Sequence, residues 1–188
     1  DIAGNLPPFP GRSLLGHALA NAVAAGAGRL AVVVGPGRDD VAAEAHRHAP
    51  DAAIFVQDER RGTAHAVLAA RAALAEQVDD VLVLFADTPL VKPDTLARLR
   101  GALAEGAAVA VTGFRAEEPA GYGRLLVENG ELVAIREYKD ASAAERAGDV
   151  RNGGLTALAG ADALALLDAV GDDNAQREFY LPDVVAIA

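Results

Sequence analysis

There is no cysteine in this chain. That excludes disulfides, thiolate catalysis and zinc sites built on cysteine. There is no methionine either, and the first residue is Asp1. The expectation is therefore a piece of a longer protein, apparently incomplete at both ends. An intact mass matching the 188 residues alone would refute it. No apolar run approaches the ~20 residues of a membrane span, so no membrane partner is expected. No charged leader precedes an apolar stretch, so secretion is not signalled and a cytoplasmic location is expected. Basic residues are the minority, Lys and Arg numbering 17 against 27 Asp and Glu, for a net charge of -10. Extended binding of nucleic acid is thus not expected, although a local basic pocket for one nucleotide stays open. There is no Gly-x-Ser-x-Gly elbow, hence no support for that type of serine hydrolase. The four histidines, His17, His46, His48 and His65, show no metal spacing on a common face.

What is present is an ordinary soluble composition, 52% hydrophobic and 23% charged. The 188 residues suffice for one domain, taken as 1–188. Val81-Leu82-Val83-Leu84-Phe85 runs without polar interruption. That pattern predicts a strand, at 81–86, buried on both faces of a parallel sheet. Ala86, Asp87, Thr88 and Pro89 follow, and the turn proline should stop the strand near Asp87. A carboxylate at the tip of such a strand sits where open α/β sheets bind ligands, and it is a hard ligand suited to Mg²⁺ on a phosphate. Capping the turn or the following helix is the other reading of Asp87.

Along the chain, residues 1–12 should be irregular, with three prolines and two glycines. Ser13 precedes a helix-spaced apolar set from Leu14 to Val23, with Gly26 or Gly28 as its stop. Strands are predicted over 30–34 and 53–56, helices over 39–48 and from Gly62-Thr63 to Leu74. A helix over 94–103 and a strand over 109–112 continue the alternation, which argues for βαβ units and a mainly parallel sheet. After residue 113 the rhythm changes. Asn129-Gly130 between two apolar runs signals a hairpin, so an antiparallel ribbon is inserted into the core. Residues 142–148 read as helix or loop, 155–158 as a strand, 162–170 as a helix, and 183–188 as the start of another.

Several residues could carry chemistry. Gln57 ends a strand and offers an amide that can read a base edge. Gly62 allows close approach to a ligand, and Thr63 stands at a helix N-terminus that favours anions and polar base edges. An ordinary Thr-capped helix explains the same residues. Gly121-Tyr122-Gly123-Arg124 permits a tight turn beside an aromatic face, as most Gly-x-Gly pairs do. Glu137 could accept hydrogen bonds from sugar hydroxyls or be a surface charge beside Lys139. Asn152, before Gly153-Gly154, could bind a sugar or serve as a turn residue. Residues 174–183 suit a substrate wall and a plain helix start equally.

In their order these pieces closely resemble one family. Gln57…Gly62-Thr63, Phe85-Ala86-Asp87-Thr88-Pro89-Leu90, Gly121-Tyr122-Gly123-Arg124, Glu137-Tyr138-Lys139-Asp140-Ala141, Asn152 and Asn174-Ala175-Gln176…Glu178-Phe179-Tyr180 resemble the uridyltransferase domain of the bacterial bifunctional GlmU family. The resemblance covers nearly the whole chain. It implies a Rossmann-like nucleotidyltransferase fold, with a mainly parallel mixed sheet flanked by helices. It implies UTP and N-acetylglucosamine 1-phosphate as substrates, UDP-N-acetylglucosamine and pyrophosphate as products, and Mg²⁺ as the cofactor. Gln57, Gly62 and Thr63 would hold the uracil end. Asp87 would bind the metal, with Phe85 and Ala86 lining the nucleotide site. Gly123, Glu137 and Asn152 would hold the amino sugar, and Tyr180 would approach its N-acetyl group. A homotrimer is implied for the full-length family member. The alternatives are a non-catalytic sugar-nucleotide-binding module, or a related transferase using another base or sugar.

The departures are specific. The family opens on a strand and a loop, Leu-Ala-Ala-Gly-x-Gly-Thr-Arg-Met, then Pro-Lys, which cradle the triphosphate. Asp1-Ile2-Ala3-Gly4-Asn5-Leu6-Pro7-Pro8 does not supply them. The family's second Mg²⁺ ligand, an asparagine, and its acetyltransferase domain lie beyond Ala188. Arg177 replaces a usual glycine and Pro182 a usual threonine. If the 188 residues are the whole protein, negligible turnover is expected.

Overall fold

A computed structural model describes residues 12–88, 91–115 and 121–188. The irregular opening expected over 1–12, except Arg12, lies outside the described residues, as does Pro89. Ser13 caps α1 (Leu14–Ala24) as expected, its hydroxyl accepting the Gly16 N–H at 3.1 Å. The buried stripe of α1 packs on β1 (Ala31–Val34) and α2 (Asp39–His48). In α2 acids open the helix and basic residues close it, which complements the helix dipole. β2 (Ala53–Val56) pairs in parallel with β1, Val32 opposite Ile54. These elements share one small core of Leu19, Val32, Val34, Ala45, Ala49 and Ala52.

The alanine-rich helix expected over 62–74 is two pieces, α3 (Thr63–Ala69) and α4 (Arg71–Leu74), broken at Ala70. No glycine or proline accounts for the break. β3 covers Asp80–Val83, shorter than the predicted 81–86, and Leu84 and Phe85 leave the ladder. α5 (Pro93–Ala104) starts on a proline, whose fixed φ suits a first helical position. β4 runs over Val109–Arg115. β5 (Arg124–Glu128) and β6 (Glu131–Arg136) form the expected ribbon, turning on Asn129 and Gly130, both at positive φ. α6 (Ala143–Arg146) is one turn closed by a capping box between Ser142 and Glu145. β7 (Val150–Ala159), α7 (Ala163–Ala169), a 3₁₀ turn at Leu181–Asp183 and α8 (Val184–Ile187) complete the order.

The expectation of a mainly parallel sheet is corrected. Among the described residues only β1 and β2 pair in parallel, while β3 with β7, β4 with β7, β5 with β6 and β5 with β7 are antiparallel. β3 and β4 do run in the same direction around α5, as a βαβ unit requires. β7 arrives from the far side of the ribbon and inserts between them, running opposite to both. A strand–helix alternation gives the connection between two strands; it does not give their neighbours.

The central strand is also not the one expected. β3 is only half-buried, whereas Leu155, Thr156, Ala157 and Leu158 of β7 are all buried. Leu155 and Ala157 pack against Leu96 and Leu99 of α5. Leu158 packs with Leu166, Leu167, Leu181 and Val184 in a second core. The β7 segment thus has helices on both faces, the burial that makes apolar runs continuous in sequence.

Candidate functional site

β7 is long enough to pair with two strands along one edge. β3 meets it from Thr156 to Ala159, and β5 meets it at Arg151. Between these pairings the edge of β7 is open, and a cleft of about 360 Å³ lies there. Asn152, Gly154 and Thr156 of β7 form its floor. Phe85, just after β3, closes one end, and Glu137 with Tyr138, just after β6, closes the other. Gln176, Glu178 and Tyr180 form a wall. Strands that diverge along a shared neighbour leave this kind of crevice, the usual place for a ligand in open α/β sheets.

The wall is held from two sides. Near α3, the Thr63 hydroxyl accepts the Leu181 N–H at 2.8 Å, the Ala64 N–H donates to the Phe179 carbonyl, and the Phe179 N–H donates to Arg61. The Arg61 guanidinium lies 4.8 Å from the Phe179 ring centroid. Gly62 makes this approach possible. Its φ is +111°, and a Cβ there would stand 2.5 Å from the Phe179 oxygen. The other side is tied to the turn after β6, where Asp140 accepts the Ala175 N–H at 2.7 Å.

Five of the expected site residues meet at the cleft: Thr63, Phe85, Glu137, Asn152 and Tyr180. Gly123 is buried beneath them, with the position of its absent Cβ 3.0 Å from Glu137 Oε1. The other four do not line the cleft. Gly62 braces the wall from behind. The Gln57 side-chain nitrogen is 3.2 Å from the Gly62 carbonyl and 3.0 Å from His65 Nδ1, so its NH₂ is engaged beside the start of α3. Ala86 and Asp87 are exposed on the turn beyond Phe85. That turn is closed by the Thr88 hydroxyl and N–H, both donating to the Phe85 carbonyl.

The cleft carries two carboxylates, Glu137 and Glu178, and one ammonium, Lys139, on a largely apolar lining. Asn152 Oδ1 accepts the Gly154 N–H at 3.0 Å, which turns its NH₂ away as a donor. Burial raises the Glu137 carboxyl above the ordinary range, helped by the charges of Asp140 and Asp183. Asp183 is raised too, chiefly by burial, with Arg136 pulling the other way and Asp140 adding to the rise. The Tyr180 phenol is raised by burial and by Asp140 and Glu178. Carboxylate acceptors beside amide, hydroxyl and Lys139 donors suit a polyhydroxylated ligand carrying an amide. They do not suit a polyphosphate, whose charge the carboxylates would repel.

No group of three or more His, Asp or Glu able to hold an ion occurs among the described residues. Asp87 offers one exposed carboxylate beyond β3. That does not fit an ion caged by protein alone. It does fit Mg²⁺ that arrives on a polyphosphate and keeps its waters, since such ions use one or two carboxylates.

Sequence reasoning missed Thr156, Gln176, Glu178 and the anchoring role of Asp140. Asp140 lies within the Glu137–Ala141 family motif, and 174–183 suits a wall as well as a helix start. Thr156 had a signal, being the polar residue within an otherwise apolar buried run.

The fold matches a known class. The profile of the MobA-like NTP transferase domain matches residues 5–179, and the chain belongs to that family. Crystal structures of UDP-glucose pyrophosphorylase share the fold, one complexed with UDP-glucose and one apo. Each has a TM-score of 0.75 and covers 97% of this chain, at 17% and 16% identity and with 76% and 77% of the other chain covered. Within the class, the chain is similar to the bifunctional protein GlmU of Azorhizobium caulinodans, 61% identical over 100% of this chain and 43% of that protein. The GlmU of Xanthobacter autotrophicus is 62% identical over 95% of this chain and 40% of its own length. The chain thus spans about two-fifths of the length of these curated relatives.

Proposed function

We propose that this chain is the uridyltransferase part of a GlmU-type protein. In this reading it transfers uridylyl from UTP to N-acetylglucosamine 1-phosphate, giving UDP-N-acetylglucosamine and pyrophosphate for cell-wall precursor synthesis. On this reading its work is in the cytoplasm, where UTP is made. The observation that carries the reading is the meeting of Glu137, Asn152, Thr156 and Tyr180 around one acidic cleft, together with the likeness to GlmU along the chain. The cleft takes the amino sugar. Glu137 accepts from ring hydroxyls, the Asn152 NH₂ donates, and Tyr180 lies against the acetamido group. The phosphates point away from the carboxylates, past Phe85 towards Asp87.

Bound Mg²⁺ would neutralise phosphate charge and align the sugar phosphate oxygen with the α-phosphorus of UTP. Asp87 would hold it, and Phe85 would shield the nucleotide from water. No protein nucleophile is then required. Most of the rate comes from fixing two reactants in line. Gln57, Gly62 and Thr63 remain the proposed uracil end. With its NH₂ engaged by Gly62 and His65, Gln57 presents its carbonyl oxygen as the free group. That oxygen would accept the uracil imide N–H, which cytosine lacks.

A panel of nucleoside triphosphates against sugar 1-phosphates tests the assignment. UTP with N-acetylglucosamine 1-phosphate should be preferred. Preference for another pair would make the chain a related transferase. Binding of UDP-N-acetylglucosamine without turnover under any condition would make it a binding module.

A further inference from the structure

We propose that Asp140 is a positioning residue for the sugar phosphate: it fastens the 174–178 loop to the turn after β6, so that the two walls of the cleft close on one ligand. The inference rests on the reading of the cleft as an amino-sugar phosphate site. Asp140 does not line the cleft itself.

The turn and the loop are each built as a unit. In the turn, the N–H groups of Asp140 and Ala141 both donate to the Glu137 carbonyl, at 3.0 and 2.9 Å. Any movement of Asp140 is thus passed to Glu137. In the loop, Asn174 Oδ1 accepts the N–H groups of Gln176 and Glu178, each at 3.2 Å, and its Nδ2 donates back to the Glu178 carbonyl. Arg177 takes φ +55° inside this closed unit. The ties between the two are few. The Ala175 N–H donates to Asp140 Oδ1 at 2.7 Å, a charge-assisted bond, and Lys139 Nζ donates to Gln176 Oε1. Gln176, Glu178 and Tyr180 hang from one unit and Glu137 and Tyr138 from the other.

Stability alone does not explain an aspartate here. Its second oxygen, Oδ2, is buried without a partner among the described residues. Its charge also works against its surroundings, pushing up Glu137, Asp183 and Tyr180. Asparagine would give Ala175 the same acceptor without that repulsion. A residue that strains its neighbours while joining two ligand-facing units is placed for binding rather than for folding.

The test compares Asp140→Ala with Asp140→Asn in the GlmU-type protein of which this chain is the proposed uridyltransferase part. Steady-state kinetics would give KM for N-acetylglucosamine 1-phosphate and for UTP separately. Amide hydrogen exchange at Ala175 would report the fastening without any substrate. For Asp140→Ala the sugar phosphate KM should rise about tenfold, the worth of one charge-assisted bond, with the UTP KM within about twofold of the parent. Exchange at Ala175 should speed up by a similar factor. Asp140→Asn, keeping the acceptor, should recover most of both. The proposal is overturned by an unchanged sugar phosphate KM in Asp140→Ala, by equal rises in both KM values, or by unchanged Ala175 exchange. A parent protein that turns over no amino-sugar phosphate would overturn the reading of the cleft instead. Exchange at Ala175 would then decide alone whether the fastening exists.

Discussion

Glu137 carries a charge that the folded chain resists. Burial and the neighbouring charges of Asp140 and Asp183 raise its carboxyl above the ordinary range. Between the ordinary value and the raised one, the folded state holds more protons than the unfolded state. Stability therefore falls as pH rises through that window. Glu137→Gln removes this term, so the variant should be more stable than the parent at neutral pH. Urea unfolding should show the gain shrinking to nothing as pH drops below the ordinary glutamate range. The same change should weaken the sugar phosphate about tenfold, because a charged acceptor becomes a neutral one. Stability and binding moving in opposite directions is the mark of a ligand contact. Asp87 is the contrasting case, exposed and outside every core cluster. Asp87→Asn should leave the melting temperature unchanged and remove the Mg²⁺ dependence of UTP binding by calorimetry.

At the scale of elements, the wall of the cleft depends on the helix start it leans against. Gly62 sits at φ +111° and ψ 176°, a region open in practice only to glycine, and a side chain there would strike the Phe179 carbonyl. Gly62→Ala should cost roughly 2 kcal/mol or more by urea unfolding, and it should push Phe179 and Tyr180 out of line. Arg124 plays a similar part in the ribbon. It is 1% exposed, and its guanidinium donates to the carbonyls of Arg146 and Tyr122. Arg124→Leu removes the donor from both carbonyls and should cost roughly 1–3 kcal/mol. Local features of this kind were legible in the sequence. The Ser13 cap, the bounds of α2 and the Asn129-Gly130 turn each follow from chemistry within a few residues. The position of β7 was not legible, because its neighbours β3 and β4 lie tens of residues upstream. Nor was the cleft: local chemistry offered Glu137 and Asn152 only beside plainer readings, and Tyr180 came from a family likeness. Thr156, Gln176 and Glu178 joined them only when the chain closed on itself.

At the scale of the molecule, charge separates two tasks. The net charge of -10 disfavours long polyanions, so duplex DNA should not shift in an electrophoretic mobility assay at physiological salt. Within the site, carboxylates gather around Glu137, Asp140 and Asp183, the proposed sugar end. On the proposed reading, a phosphorylated sugar entering this field would be oriented with its hydroxyls inward and its phosphate outward. That orientation presents the phosphate to the region beyond Phe85, where Asp87 stands. A crystal structure of the chain with UDP-N-acetylglucosamine and Mg²⁺ would test this most directly. The sugar ring is expected between Glu137, Asn152 and Tyr180, with the diphosphate running past Phe85 and the metal on Asp87. A sugar ring bound elsewhere, or a diphosphate and metal remote from the Asp87 carboxylate, would contradict it.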